Sequence, residues 1–446
     1  MPVLKDRLKN IEESQQTIQQ QVAKETIRPT RSEAEIVQAI AQKISQKFRD
    51  EISSSGFTDN VRARIMASIQ ETAKDMCSDY EQQQRIVRIA SVNLMGLGPI
   101  EIFMEDPEVT EIIVQRYDNI CIEKRGIMYS VDSSFNDEAH LQNVINRIVQ
   151  PAGRQINLSQ PIVDTRLPNG SRVNATIPPV TPDGATLSIR KFSDDVMNGE
   201  DYIRLGSLNQ AMLDFLSACV KGKISLIVSG GTSTGKTTLL NMLSTYIPAN
   251  ELIITIEDSC ELQLHQKNVR RMEARTSTSK EIMAITTQAL VKNALRMRPD
   301  RIIVGEIRDG TIVDMMSAMS TGHEGSMSTV HANNPGNLVN SRMPILYSMH
   351  DSVKFSVDAQ CIQITEALQL IVHISRLENG KRVITHITHI NGLTDRGKVK
   401  LNDIFVYNEK ENTFLPTGYV PQQIMDKLAQ SNILVNKDIF GKEETE

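Results

Sequence analysis

Tryptophan is absent from the 446 residues, and phenylalanine and tyrosine number only 10 and 8. That scarcity removes the aromatic platforms on which single-stranded nucleic acids stack. Basic charge is not in excess either. Lys and Arg total 49 against 54 Asp and Glu, a formal net charge of −5, so nucleic acid is not the expected partner. No apolar run approaches the roughly 18–20 residues that a membrane-spanning helix requires. The opening residues Met1-Pro2-Val3-Leu4-Lys5-Asp6 carry no apolar core of a secretory signal. The five cysteines (Cys77, Cys121, Cys219, Cys260, Cys361) are scattered, odd in number and never paired as C-x-x-C. Reduced structural thiols are therefore expected, not a disulfide frame or a zinc site. These absences leave a cytosolic chain, long enough for two or three domains, that can still meet a membrane through a partner.

What is present is concentrated in eight residues. Gly230-Gly231-Thr232-Ser233-Thr234-Gly235-Lys236-Thr237, followed by Thr238, fits G-x-x-x-x-G-K-[ST], the loop that wraps backbone N–H groups around nucleotide phosphates. Gly230 and Gly235 let the chain approach the phosphates without a side chain in the way. Lys236 places a positive charge on the β/γ-phosphate oxygens, and Thr237 offers a hydroxyl to Mg²⁺. The apolar run 224–229 before the loop predicts a buried parallel strand, and 238–246 predicts a helix ended by Pro248. Strand, loop and helix N-terminus are the context this chemistry requires.

Around this core the chain changes texture several times. Residues 1–30 are polar and Gln-rich, with a short heptad-like stripe through Leu4, Leu8, Ile11, Ile18 and Val22. They read as a frayed tail or a partner-docking helix. Residues 31–94 predict a helical region, opened by a Ser32/Glu35 capping box and striped by Ile36, Ile40, Ile44 and Phe48. Residues 95–192 predict a small α/β domain, with strands at 111–114 and 119–123, a helix at 141–148 and arginine-bearing hairpins over 151–192. Residues 193–205 read as a linker. From 206 to 392, strands at 224–229, 252–256, 302–304, 326–330 and 369–374 alternate with helices at 236–246, 280–297 and 312–320. Capping boxes at Thr278/Glu281 and Thr311/Asp314 open the last two. That alternation implies a parallel sheet covered on both faces. An antiparallel strand at 382–390 and a peripheral segment, 393–446, complete the reading.

Two acidic boxes and one histidine box follow the loop. Glu257-Asp258-Ser259-Cys260-Glu261 ends the strand about twenty residues after Lys236, where carboxylates can hold Mg²⁺ or activate a water. A solvated acidic turn is the plainer alternative. Arg301-Ile302-Ile303-Val304-Gly305-Glu306 is a second apolar strand ending in acid, the pattern of a Walker B strand, with Glu306 the candidate to polarise the attacking water. Gly322-His323-Glu324-Gly325 and Ser328-Thr329-Val330-His331-Ala332 surround a further strand; such histidines either support the structure or sense a phosphate.

In this order the boxes resemble the secretion ATPases of type II and type IV secretion and type IV pili. Within these the chain is most similar to the CpaF-type ATPases of tight-adherence (Flp) pili. Thr110-Glu111-Ile112-Ile113-Val114, Asp164-Thr165-Arg166-Leu167-Pro168-Asn169-Gly170-Ser171-Arg172-Val173-Asn174 and Leu187-Ser188-Ile189-Arg190-Lys191-Phe192 carry that likeness, which spans about residues 95–392. The resemblance implies a RecA-like P-loop core behind a small α/β domain, ATP and Mg²⁺ as ligands, and a homohexameric ring at the inner face of the cell membrane. The ring would drive inner-membrane platform proteins of a pilus or secretion system. Position by position, it implies that Glu257, Asp258 and Glu261 form the Asp box, Glu306 the Walker B acid and His331 the His-box residue. Asp258, Glu306 and Thr237 would hold the Mg²⁺, partly through water. Arg166, Arg172, Arg190, Arg271 and Arg275 match regions whose arginines reach the γ-phosphate. The tetra-cysteine zinc insert common in pilus extension ATPases is missing, which fits the CpaF-type and conjugative branches. An ATP-binding switch with little turnover, or a RecA-like nucleic-acid translocase, remain the alternatives.

Overall fold

The computed structural model describes residues 31–55, 58–124, 126–192, 197–275, 283–352 and 354–441. The expected tail over 1–30 and the Thr278/Glu281 box lie outside these residues. The chain divides into two compact units, Met1–Asp194 and Asp195–Glu446. Among the described residues no single helix is long and apolar enough to cross a membrane.

The first unit begins with helices Arg31–Lys47, Arg49–Ser55, Asp59–Met76 and Tyr80–Met95. Ile40, Ile44, Ile65, Ile69 and Ile86 recur at helical spacing and close a core of their own. Thr58 and Asp79 accept backbone N–H bonds as N-caps of the third and fourth helices. The helix is already running at Arg31, which places Ser32 within it and not at its N-cap. Glu33 instead turns inward, buried, onto Arg85 at 2.9 Å, so an ion pair between helices fixes this end.

An antiparallel sheet follows: β1 (Val109–Arg116), β2 (Asn119–Lys124), β3 (Ile127–Val131), β4 (Ile162–Arg166), β5 (Arg172–Thr176) and β6 (Thr186–Arg190). Its order is β3-β2-β1-β6-β5-β4. Alternation sends Ile112, Val114, Val173, Ala175, Leu187 and Ile189 into the core beside the helix Glu138–Val149. Arg147, on that helix, donates to the carbonyls of Leu94, Asn93 and Gly96. It thereby satisfies the open C-terminal turn of the helix Tyr80–Met95.

The second unit opens with the helix Gly199–Arg204, capped reciprocally by Asn198 and Asp201 and anchored by buried Tyr202. The stretch expected as linker up to 205 is therefore partly regular structure. Nine strands form the main sheet in the order β15-β14-β13-β12-β7-β11-β10-β8-β9. β7 (Leu226–Gly230), β8 (Ile253–Glu257), β9 (Val269–Glu273), β10 (Arg301–Val304), β11 (Met327–His331) and β12 (Leu370–Arg376) run parallel. Buried on both faces, β7, β8 and β10 are mostly apolar, while β11 is equally buried with Ser328 and Thr329 inside it. β13 (Arg382–Leu393), β14 (Val399–Asn408) and β15 (Thr413–Pro416) extend the sheet antiparallel.

The segment expected to be peripheral, 393–446, thus supplies two strands of the main sheet. Its helix Gln422–Gln430 and Phe440 join the core around Phe215, with Phe440 and Phe215 ring centroids 5.5 Å apart. The helix expected at 280–297 is observed as Thr287–Ala294, capped by Thr286. Thr311 and Asp314 do not form the expected box. Thr311 N–H is taken by Asp309 at 2.9 Å, and its hydroxyl pairs with Thr287 at 3.1 Å. Asp314 accepts from Gln288 at 2.8 Å, so both side chains fasten neighbouring helices together.

Candidate functional site

β7 delivers the chain to the loop and the helix Lys236–Ser244 carries it away. A Cβ on Gly230 would lie 2.3 Å from the Ile374 carbonyl oxygen of β12, so only glycine fits there. Gly235 has φ +93°, a left-handed backbone that glycine adopts freely. Ser233 also takes a positive φ, +57°, which is uncommon for a residue with a side chain. The Thr234 hydroxyl donates to Gly231 O at 3.0 Å and closes the turn. Gly231 is half-buried, while Thr232, Ser233 and Thr238 are exposed; Thr237 is half-buried in the helix's first turn.

Lys236 is only 7% exposed, and a buried ammonium requires partners. Its Nζ donates to Gly231 O at 2.7 Å and meets the His331 ring at 3.2 Å. His331 ends β11 directly opposite Gly230 in the parallel register. Its Nε2 lies 2.7 Å from Glu306 Oε1. Burial first, and then the charge of Lys236, hold the His331 pKa below the ordinary histidine value, while Glu306 opposes them.

Glu306 follows β10, and its second oxygen accepts from Arg308 at 2.6 Å. Arg308 reaches on to Asp258 at 3.8 Å, beyond the end of β8. Lys236, His331, Glu306, Arg308 and Asp258 therefore form a row of interacting polar groups across the carboxyl ends of β7, β11, β10 and β8. This edge of an α/β sheet is where ligands bind. Gly305 makes room for the row's neighbour, since a Cβ there would come within 2.8 Å of Glu257 Cγ. Glu257 is buried and accepts the backbone N–H groups of Glu261 and Leu262 at 2.9 and 3.0 Å. It shapes the turn that presents Asp258 and half-buried Glu261.

The two histidines of the His box separate. His323 precedes β11 and His331 ends it, so only His331 reaches the phosphate loop. Arg271 and Arg275 are exposed on and just beyond β9, the sheet's edge strand. Four strand intervals of about 4.8 Å place β9 roughly 19 Å from β7, so these arginines stand apart from Lys236 and the phosphate loop, while β9 adjoins β8 at the Asp258 end of the row. Arg301 is also no member of the row. It is wholly buried and pairs with Glu251 at 2.5 Å.

In the first unit, Arg166, Arg172 and Arg190 are direct cross-strand partners on β4, β5 and β6, and Glu111 on β1 continues the line. Cross-strand partners share a face, so three guanidiniums stand in file there. Like charges placed directly opposite destabilise a sheet, and such a file favours an anion.

Two basic residues at the site escaped the sequence reading. Arg308 sits two residues after Glu306 and was legible within Gly305-Glu306-Ile307-Arg308. Arg382, which donates to Ser233 O at 3.2 Å, left no comparable signal, being 149 residues away.

A parallel sheet with a glycine-rich phosphate loop at its strand ends defines a P-loop protein with a RecA-like core. The family described as "Type II/IV secretion system protein" matches residues 93–436, and the chain belongs to that family. It is 31% identical over 307 residues to a provisionally named conjugal transfer protein of Mycobacterium tuberculosis, covering 68% of this chain and 86% of the relative. VirB11 of Agrobacterium fabrum is 31% identical over 268 residues, 54% of this chain and 76% of that protein. Among solved structures, the VirB11 ATPase of Brucella suis is 24% identical with a TM-score of 0.36, covering 65% of this chain and 95% of its own. The Legionella pneumophila ATPase DotB is 19% identical with a TM-score of 0.46, covering 77% and 87%.

Proposed function

We propose that this protein is a homohexameric ATPase at the inner face of the cell membrane. It couples ATP hydrolysis to domain motion that drives pilus assembly or protein secretion through inner-membrane platform proteins. The tight-adherence pilus branch is the preferred assignment. Conjugative secretion is the second reading, favoured by relatives named as conjugal transfer proteins.

The observation that carries the reading is the row Lys236–His331–Glu306–Arg308–Asp258 at the mouth of the phosphate loop. Residues 230–238 suit a nucleotide's phosphates: Gly235 takes the left-handed backbone that the loop turn requires, and Lys236 is already held against the loop by Gly231 O. Thr237, Asp258 and Glu306 are the groups that would hold Mg²⁺, which supplies charge neutralisation for phosphoryl transfer. Glu306 polarises the attacking water, and His331 fixes the Glu306 carboxylate against Lys236. Arg308 neutralises Glu306 and Asp258 until nucleotide and metal enter. Glu257 and Glu261 hold the turn that carries Asp258. Arg271 and Arg275, distant from the phosphate loop in one chain, contribute after assembly, and the file Arg166, Arg172 and Arg190 serves as an anion-binding surface of the same enzyme. A single positioned arginine is worth about 10³–10⁵ in phosphoryl-transfer rate.

Steady-state ATPase activity, measured beside oligomeric mass for wild type and Glu306→Gln, tests the proposal. Turnover by a nucleotide-stabilised hexamer, abolished in Glu306→Gln while ATP binding persists, supports it. A monomer that binds ATP without turnover above the variant overturns it in favour of a switch.

A further inference from the structure

The β12–β13 hairpin touches the phosphate loop from outside. β12 lies beside β7 and turns back at 377–381, closed by Leu377 N–H to Lys381 O at 2.8 Å. Arg382, the first residue of β13, then lies over the loop's tip. Its Nε donates to Ser233 O at 3.2 Å. Its Cδ lies 3.3 Å from where a Cβ on Gly235 would be. The side chain therefore runs across the two residues whose positive φ values give the loop its shape.

We infer that Arg382 is a positioning residue for nucleotide binding, holding the Ser233 carbonyl turned away from the phosphates. A phosphate loop works only while its N–H groups face the anion and its carbonyls face elsewhere. Ser233 is the one residue with a side chain in the loop at positive φ. Such a conformation persists where the surroundings over-determine it. The bond from Arg382 supplies that constraint, for a carbonyl held by a guanidinium cannot swing toward the phosphate. Among the described residues no carboxylate pairs with Arg382, so its charge also adds to the field at the loop.

The hairpin is tied to more than the loop. Ile384 N–H donates to Ser207 O at 2.8 Å, just past the helix Gly199–Arg204. Arg382 is thus held on a strand that is itself anchored, a rigid support of the kind that precise positioning needs.

The inference rests on the nucleotide-binding reading of the loop, and the experiment separates the two. A fluorescent ATP analogue and its ADP counterpart are titrated into the full-length wild type, Arg382→Lys and Arg382→Ala, with thermal unfolding of the nucleotide-free proteins alongside. Steady-state kcat and KM are measured on the same samples. Both variants should unfold like wild type. Both should bind the two nucleotides about tenfold more weakly, because loss of a hydrogen bond from a charged group carries that scale of effect. KM should rise while kcat at saturation changes less than threefold, the mark of lost uniform binding. Lysine keeps the charge but not the Nε–H, so its failure to rescue identifies the hydrogen bond as the cause. Wild-type affinity in Arg382→Ala, a lysine variant equal to wild type, or a fall in kcat at unchanged affinity overturns the inference and leaves the nucleotide site standing. Failure of the wild type itself to bind either nucleotide overturns both.

Discussion

His331 stands between Glu306, 2.7 Å from its Nε2, and Lys236, 3.2 Å from its Nδ1. One imidazole thus links the acid at the end of β10 to the lysine of the phosphate loop. Burial and the Lys236 charge hold its pKa below the ordinary value, so the ring is neutral at pH 7 and adds no second positive charge beside the ammonium. His331→Gln should lower kcat by about 10²-fold or more, the lower range for a positioned proton-handling group, with little change in nucleotide affinity. The wild-type rate should hold as pH falls to about 6.5, the ordinary histidine value, and drop only below it. In His331→Gln that acid limb should vanish. A rate profile across pH 5–8 for both proteins decides it, and an unchanged limb removes His331 from the mechanism.

The approach of Gly230 to Ile374 O makes a steric prediction. The added methyl of Gly230→Ala would meet backbone at 2.3 Å, and backbone cannot step aside like a flexible side chain. β7 and β12 must separate, at a cost of about 1–3 kcal/mol for overpacking. Urea unfolding should show that loss, and nucleotide affinity should fall with it because the loop begins at the displaced residue. Wild-type stability in this variant would mean that the two strands part freely.

Arg301 tests whether the acidic box that ends β10 is chemical throughout. Its side chain is fully buried, bonded to Glu251 at 2.5 and 3.3 Å and to Gly325 O at 3.3 Å. Arg301→Met should strand the Glu251 carboxylate and destabilise the protein by about 3–5 kcal/mol. Adding Glu251→Met should restore much of that loss. Turnover per folded molecule should stay near wild type in the double variant. A double variant that is stable but inactive would assign Arg301 to the chemistry.

The contrast between Arg301 and Arg308 shows what could be read from the chain and what could not. Apolar runs marked β7, β8, β10 and β12 because strands buried on both faces are mostly apolar. The loop and Glu306 were legible because their chemistry dictates local residue types. Which charged side chain turns inward and which crosses to Asp258 depends on packing, and the sequence carries no local sign of it. β14 and β15 were missed as sheet members because the pairing of β14 with β13, and of β15 with β14, is a tertiary event on half-polar strands. His323 and His331 looked like one box because they are close in sequence, yet a strand between them sends them to opposite edges. Arg382 acts through a contact between distant segments, which no spacing rule reaches.

The file Arg166, Arg172 and Arg190 predicts opposite effects on stability and function. Removing the middle charge with Arg172→Gln relieves two direct like-charge pairs. Stability should rise by about 0.2–1 kcal/mol, the scale of a cross-strand pair, while ATP turnover falls. Such a trade is expected where charge is kept for function at the expense of the fold. Denaturant midpoints and ATPase rates on the same preparation read both. A variant that is less stable and equally active would make the file a structural feature.

Buried histidines make the protein sensitive to acid. Burial is the chief cause holding His373 and His389 down to pKa values of about 4, from 6.5. His373 bonds to Ser229 at 2.8 Å, and His389 to the Tyr419 hydroxyl at 2.9 Å. Because each folded-state pKa lies below the unfolded one, the unfolded chain takes up the proton first. The stabilisation is complete above pH 6.5 and is lost as pH falls from there toward 4. At full effect each drop corresponds to roughly 3 kcal/mol, an upper figure for a site that relaxes or admits water. His389 lies away from the phosphate loop, so His389→Gln isolates the effect. Wild type should lose melting temperature steeply between pH 6.5 and 4, and the variant should show a shallower slope over that window with unchanged ATPase activity at pH 7.5. Parallel slopes for the two proteins would mean that His389 titrates alike folded and unfolded, and that its ring is open to water.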